Sequence, residues 1–196
     1  MLITPPLGKG DTYEAHPVVG HGGVDACGCV GPLGVAPAKP VASSADRQCK
    51  KLAIQTLPNF KPAHYTFHGG DTDPSQLGDE FDSKATEDND VFCGFLGPDA
   101  TTTLGEGDIF LGGADDDLVG TNEISGTFYG GAGNDVVQRN EGTFYGQEGN
   151  DFVDINFGTE INIGTFDGGE GTADEVRIND GGCVINVELG DVGSPC

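Results

Sequence analysis

Residues 126–154 read GTFYGGAGNDVVQRNEGTFYGQEGNDFVD. Gly126-Thr127-Phe128-Tyr129-Gly130 returns sixteen residues later as Gly142-Thr143-Phe144-Tyr145-Gly146. Each copy runs into an acidic turn, Gly131-Ala132-Gly133-Asn134-Asp135 and then Gln147-Glu148-Gly149-Asn150-Asp151, and each turn leads to an apolar pair, Val136-Val137 or Phe152-Val153. A unit this short cannot bury its own apolar face, so it must stack on copies of itself.

Further copies flank the stretch. Thr66-Phe67-His68-Gly69-Gly70-Asp71-Thr72-Asp73 parallels Thr127–Asp135 one residue shorter, which puts His68 in the place of Tyr129. Pro74 to Thr86 then reads as an inserted surface loop, and Asp88-Asn89-Asp90-Val91-Phe92 restores the pattern. Gly105–Phe110, Gly112–Val119 and Gly164–Val176 follow, the last with one residue inserted in its turn. Phe110, Phe128, Phe144 and Phe166 alternate along the chain with Val119, Val137, Val153 and Val176. If each coil is strand, turn, strand, turn, one sheet points its Phe residues at Val residues from the other, as a thin two-layer core requires. Antiparallel hairpins would share the alternation but would not bring the acidic turns into register. The fold expected over residues 65–196 is therefore an all-β parallel solenoid ending in a C-terminal cap.

Residues 1–64 read differently, as a Pro/Gly-rich arm or capping region. Pro5, Pro6, Pro17, Pro32, Pro37 and Pro40 leave little room for regular structure before Ser43. A short helix is expected over 43–57, with Ser43 or Ser44 capping it, Asp46 in its first turn and Pro58 closing it. Charge divides along the same boundary. Residues 1–65 hold six Lys/Arg and four Asp/Glu (+2); residues 66–196 hold three and 28 (−25). Nucleic acid is excluded as a partner, because its phosphates need cationic contacts. An acidic body of this kind calls for bound cations.

Gly130–Gln138 matches the whole nonapeptide G-G-x-G-x-D-x-U-x, and the chain here resembles the RTX (repeats-in-toxin) calcium-binding family. Gly146–Asp154 departs only at Gln147 and Gly112–Gly120 only at Asp115; Thr103–Leu111 and Gly168–Val176 are weaker copies. The resemblance implies a right-handed parallel β-roll with calcium ions held between successive turns. It points to Asp117, Asp135, Asp151 and Asp174 as carboxylate ligands. Gly112, Ala114 and Asp115, then Gly130, Ala132 and Gly133, then Gly146, Glu148 and Gly149, then Gly168 and Glu170 complete the turns, and Asp90 and Asp108 serve other turns. The physics agrees: glycines allow positive φ and inward carbonyls, and aspartate gives the hard oxygen that Ca²⁺ takes. A second turn stacked on the first completes the shell, so that metal binding becomes folding energy. Because Thr121–Ser125 and Arg139–Glu141 lack the motif, ions are expected mainly along one edge after residue 112.

Six cysteines, Cys27, Cys29, Cys49, Cys93, Cys183 and Cys196, favour disulfides in an oxidising compartment, although the family is usually poor in cysteine. Structural zinc is the rival reading, but C-x-x-C pairs are absent. No apolar run could span a bilayer, and Met1–Pro6 lacks the pattern of a signal peptide. An incomplete start, or an export route without an N-terminal signal, is therefore expected. Nucleophile elbow, H-E-x-x-H and phosphate-cradling loop are all missing, so an enzyme is not expected. The sequence leads to a secreted or cell-surface calcium-binding roll with a structural or adhesive role. Its arm would either cap its own roll or dock on a neighbour's, giving a homo-oligomer or filament. The alternatives are an accessory module of an extracellular hydrolase and a calcium-dependent sugar- or ice-binding module.

Overall fold

The computed structural model describes residues 42–73, 78–82, 84–86, 89–153, 161–190 and 196. The N-terminal arm and Cys27 and Cys29 lie outside these residues. A helix α1 (Ser44–Thr56) precedes thirteen strands: β1 (Thr66–Gly69), β2 (Asp90–Cys93), β3 (Ala100–Leu104), β4 (Ile109–Ala114), β5 (Leu118–Asn122), β6 (Thr127–Ala132), β7 (Val136–Asn140), β8 (Thr143–Glu148), β9 (Phe152–Val153), β10 (Thr165–Glu170), β11 (Glu175–Val176), β12 (Cys183–Ile185) and β13 (Leu189–Gly190). From β2 onward the chain deals them alternately into two sheets, ordered β1-β2-β4-β6-β8-β10-β12 and β13-β11-β9-β7-β5-β3, with every strand pairing parallel. The result is a β-solenoid of about five turns.

Both expected ladders are present and fully buried. Phe110, Phe128, Phe144 and Phe166 are level with one another, stacked at centroid distances of 5.1, 4.8 and 4.9 Å, and Val119, Val137, Val153 and Val176 face them. Each buried Phe or Val contributes roughly 1.5–3 kcal/mol. Phe92 and Val184 extend the Phe ladder by one coil at each end.

Two expectations at the N-terminal end need correcting. Phe67 pairs with Val91 and His68 with Phe92, so His68 occupies the inward Phe128 position and not that of Tyr129. A one-residue shift of register exchanges the faces. Here α1 packs on the outer face, and Phe67 and His68 are both half-buried. Phe67 meets Phe60 edge-on at 6.1 Å with the Lys50 ammonium 5.5 Å from its ring, while His68 stacks on Phe92 and reaches Asp90 through Nε2 at 3.0 Å. Within the segment expected to be a surface loop, the described residues around Phe81 are also structural. Phe81 is fully buried against Phe92 and Phe110, its N–H donates to the Ala100 carbonyl, and the Lys84 ammonium lies 4.5 Å above its ring. Phe81 plugs the end of the core that the Phe ladder would otherwise leave open.

Helix α1 starts as its sequence requires. Ser43 accepts the Asp46 N–H and Asp46 accepts the Ser43 N–H, a reciprocal capping box. Cys49, Ala53 and Leu57 pack on the outward side chains Val91, Cys93 and Leu111 of the first sheet, and a Cys49–Cys93 disulfide fixes the contact. A second disulfide joins Cys183 to Cys196. No helix among the described residues is long and apolar enough to cross a membrane.

Replacing Phe81 by Ala should lower stability by roughly 3–5 kcal/mol, because it opens a cavity at the mouth of the core. The check is the urea midpoint followed by far-UV circular dichroism; an unchanged midpoint would mean that the plug is not needed.

Candidate metal centre

The turns that lead from the first sheet to the second share one backbone shape whatever their residues. The second and fourth motif positions have positive φ at Gly113, Gly131 and Gly133, Gly149 and Gly169, the exception being Gly171 in the turn with the inserted residue. They keep it where they are not glycine: Gln147 has φ 82° and Asp115 φ 76°. Both are held in a left-handed conformation that costs an L-residue roughly 1–2 kcal/mol, because coils above and below impose the register. The same geometry exposes a copy missed in the sequence. Gly94-Phe95-Leu96-Gly97-Pro98-Asp99 carries the motif's first, fourth and sixth residues, with Phe95 at φ 74° and Gly97 at φ 94°. Its spacing from Gly94 to Asp99 equals that from Gly112 to Asp117, which is the one signal of it in the sequence. The weaker copy read at Thr103–Leu111 lies on the opposite edge, at the entry to β4.

The sixth residues form a column. The Asp79 N–H donates to Asp99 Oδ1 at 2.6 Å, Asp99 to Asp117 at 2.8 Å, Asp117 to Asp135 at 2.8 Å, Asp135 to Asp151 at 2.8 Å, Asp151 to Asp174 at 2.7 Å and Asp174 to Glu188 Oε2 at 3.0 Å. The predicted ligands Asp117, Asp135, Asp151 and Asp174 are thus brought into line, and Asp79, Asp99 and Glu188 join them. Each aspartate side chain lies under the first glycine of its own turn. A Cβ at Gly94, Gly112, Gly130 or Gly146 would land on Oδ2 of Asp99, Asp117, Asp135 or Asp151. At Gly112 the Gly130 carbonyl of the next coil crowds the same point. Glycine is required there to make space for a carboxylate.

Only one oxygen of each carboxylate is satisfied. Oδ2 of Asp99, Asp117, Asp135, Asp151 and Asp174 is buried with no hydrogen-bond partner. Burial first, then the like charges stacked above and below, pushes Asp117 up to about 9, Asp135 and Asp151 up to about 7, and Asp174 upward; for Asp99, raised to about 6, burial again leads. A column of ionised carboxylates is unstable in this setting unless a cation or protons neutralise it.

The opposite edge is built otherwise. Asp90 and Asp108 begin it. Asp90 is fully buried; its N–H donates to Asp108 Oδ1 at 2.8 Å, and its carboxylate accepts from Thr86 and His68. Beyond Asp108 the edge becomes a ladder of amides: Asn122 Nδ2 donates to Asn140 Oδ1, Asn140 to Asn162 and Asn162 to Asn179, at 2.8, 2.8 and 3.0 Å. This is what occupies the segments that lack the motif. Asp90 and Asp108 therefore stand apart from the aspartate column. The remaining turn residues fall beside it. Ala114, Ala132, Glu148 and Glu170 share one level of the first sheet, with Glu148 and Glu170 exposed. Their carbonyls are partly used, since Gly133 donates to Glu148 and Gly149 to Glu170.

Among the described residues no three His, Cys, Asp or Glu side chains converge on one point. The column offers one carboxylate per coil together with backbone carbonyls, a donor set made of oxygen alone. Such a set fits calcium and not the metals that favour thiolate or imidazole. Comparison of the chain with protein-family models, curated proteins and solved structures finds no match.

Two outcomes follow from the column and its turns. The folded carboxyls of Asp135 and Asp151 hold protons up to about 7 and that of Asp117 up to about 9, against 3.8 ordinarily. Between those limits the folded state binds more protons than the unfolded one, so stability falls as pH rises. In chelator the melting temperature should therefore climb as pH is lowered from about 9 to about 5; a melting temperature that falls over this range would refute the buried-carboxyl column. Gln147→Gly should raise stability by about 1 kcal/mol by removing a left-handed glutamine, seen as a higher urea midpoint.

Proposed function

We propose that the protein is an extracellular calcium-binding β-roll with a structural or adhesive role. The observation that carries this reading is the row of buried carboxylate oxygens, Oδ2 of Asp99, Asp117, Asp135, Asp151 and Asp174, each without a hydrogen-bond partner. An ion between coils supplies positive charge beyond the Lys84 ammonium that pairs with Asp79 at the first end of the column. In this reading Asp Oδ2 and the glycine carbonyl of the adjoining coil hold it, and Oδ1 stays on the backbone N–H of the preceding coil. The same side chain then serves the ladder and the metal without rearranging. The net charge of −23 supports the reading, because loading the column lowers the self-repulsion of the acidic body. The extracellular setting is supported by the two disulfides, which persist in oxidising compartments.

The experiment is thermal unfolding in calcium and in chelator, for the native chain and for Asp135→Asn. Calcium at 100 times its dissociation constant should add about 2.7 kcal/mol per site. The asparagine variant keeps an oxygen for the Asp117 N–H of the preceding coil but loses the charge. It should be more stable than the native chain in chelator and should gain less from calcium. Equal melting temperatures in calcium and chelator would remove the metal reading and leave the shape alone.

A further inference from the structure

The outer face of the first sheet carries a second candidate site, away from the aspartate column. Where α1 ends, the segment Leu57–Tyr65 and the residues Ile109, Thr127 and Tyr129 line an open cleft of about 470 Å³, a size that takes small organic ligands. Its walls are aromatic. The Phe60 and Tyr65 rings lie 4.9 Å apart, Phe60 is wedged edge-on against Phe67, and Tyr129 is stacked on Tyr145 at 4.9 Å, so each ring is held by another. The rim is polar, with the Asn59 and Asn89 amides, the His64 imidazole and the Lys61 ammonium.

Lys61 is exposed and has no ion-pair partner among the described residues, in a chain of net charge −23. Its neighbourhood is the basic part of the molecule. Residues 42–65 contain Arg47, Lys50, Lys51 and Lys61 against the single acid Asp46. Asp90 and Asp108 adjoin the cleft through their neighbours Asn89 and Ile109, but both are buried, Asp108 accepting the Asp90 and Gly105 N–H groups and Asp90 accepting from Thr86 and His68, so Lys61 is the charged side chain that lines the cleft. Aromatic walls present flat apolar surface to the C–H face of a sugar ring, amides pair with hydroxyls, and the ammonium pairs with a carboxylate.

We propose that this cleft binds a uronate, a pyranose carrying a carboxylate, as found in acidic polysaccharides. The ring rests among Phe60, Tyr65 and Tyr129, its hydroxyls meet Asn59 and Asn89, and its carboxylate meets Lys61. This goes beyond the calcium reading and does not depend on it, since no residue of the cleft belongs to the aspartate column.

The test uses the full chain with tyrosine rings isotopically labelled for NMR, and two of its four tyrosines line the cleft. The probes are the methyl glycoside of galacturonate and the neutral methyl galactoside. The uronoside should shift the Tyr65 and Tyr129 ring signals at about tenfold lower concentration than the neutral sugar, the discrimination expected of one charged hydrogen bond. Lys61→Gln should abolish that difference, while Lys51→Gln on the outer side of α1 should keep it. Unmoved ring signals, equal potency of the two sugars, or equal loss in both lysine variants would each overturn the proposal. The last of these would reduce the effect to bulk charge.

Discussion

One buried carboxylate per coil, with one oxygen on the neighbouring backbone and the other on nothing, constrains the rest of the structure. The hydrogen bond from each aspartate N–H to the Oδ1 of the next coil fixes the vertical register of the turns. That register brings the Phe and Val ladders level, since a slip of one residue would turn every side chain to the opposite face. It also accounts for glycine at the first turn position, where the carboxylate takes the space of a side chain. The left-handed backbone at Phe95, Asp115 and Gln147 shows the strength of the constraint: three residues that resist the conformation adopt it because adjoining coils do.

The two edges solve the same geometrical problem with opposite chemistry. An amide is donor and acceptor at once, so the ladder through Asn122, Asn140, Asn162 and Asn179 extends itself without charge or cofactor. An ionised carboxylate only accepts. A column of them relies on backbone donors for half its valence and needs an outside partner for the other half. The asparagine edge therefore leaves only its first acceptor, Oδ1 of Asn122, without a partner among the described residues, whereas the aspartate edge leaves one in every coil and is conditional on protons or cations. From Asn122 onward the conditional chemistry is confined to one edge, which leaves the core and the other edge to hold those coils when that chemistry changes.

Most of the roll was legible because its determinants are periodic. The Phe and Val ladders, the nonapeptide turns and the capped helix each follow from spacing and residue type alone. The failures fall where periodicity stops. His68 sits in a coil whose outer face is covered by α1, so polarity no longer distinguishes inside from outside and the shorter repeat aligns one residue off. Phe81 lies in a segment with no repeat signal, and only the open end of the core shows why an aromatic is needed there. The turn at Gly94–Asp99 was concealed by Phe95 and Leu96, which replace small residues at positions whose backbone, not side chain, is what matters. The asparagine ladder has irregular spacings of 18, 22 and 17 residues, which a search for a fixed period passes over.

The placement of the two disulfides follows from the same accounting of neighbours. An interior coil is held from both sides by ladder bonds, by stacked rings and by a carboxylate or amide from the next coil. A terminal coil has one side only. The amide ladder begins at Asn122, so the first coils also lack its support and carry acids on both edges, Asp90 and Asp108 on one and Asp99 on the other. Cys49–Cys93 joins one of these coils to α1 across 44 residues of chain, and Cys183–Cys196 ties the last strand of the first sheet across 13. Cross-links of this kind typically add about 2–4 kcal/mol. They sit where noncovalent stacking runs out, so covalent bonds do at the ends what repetition does in the middle.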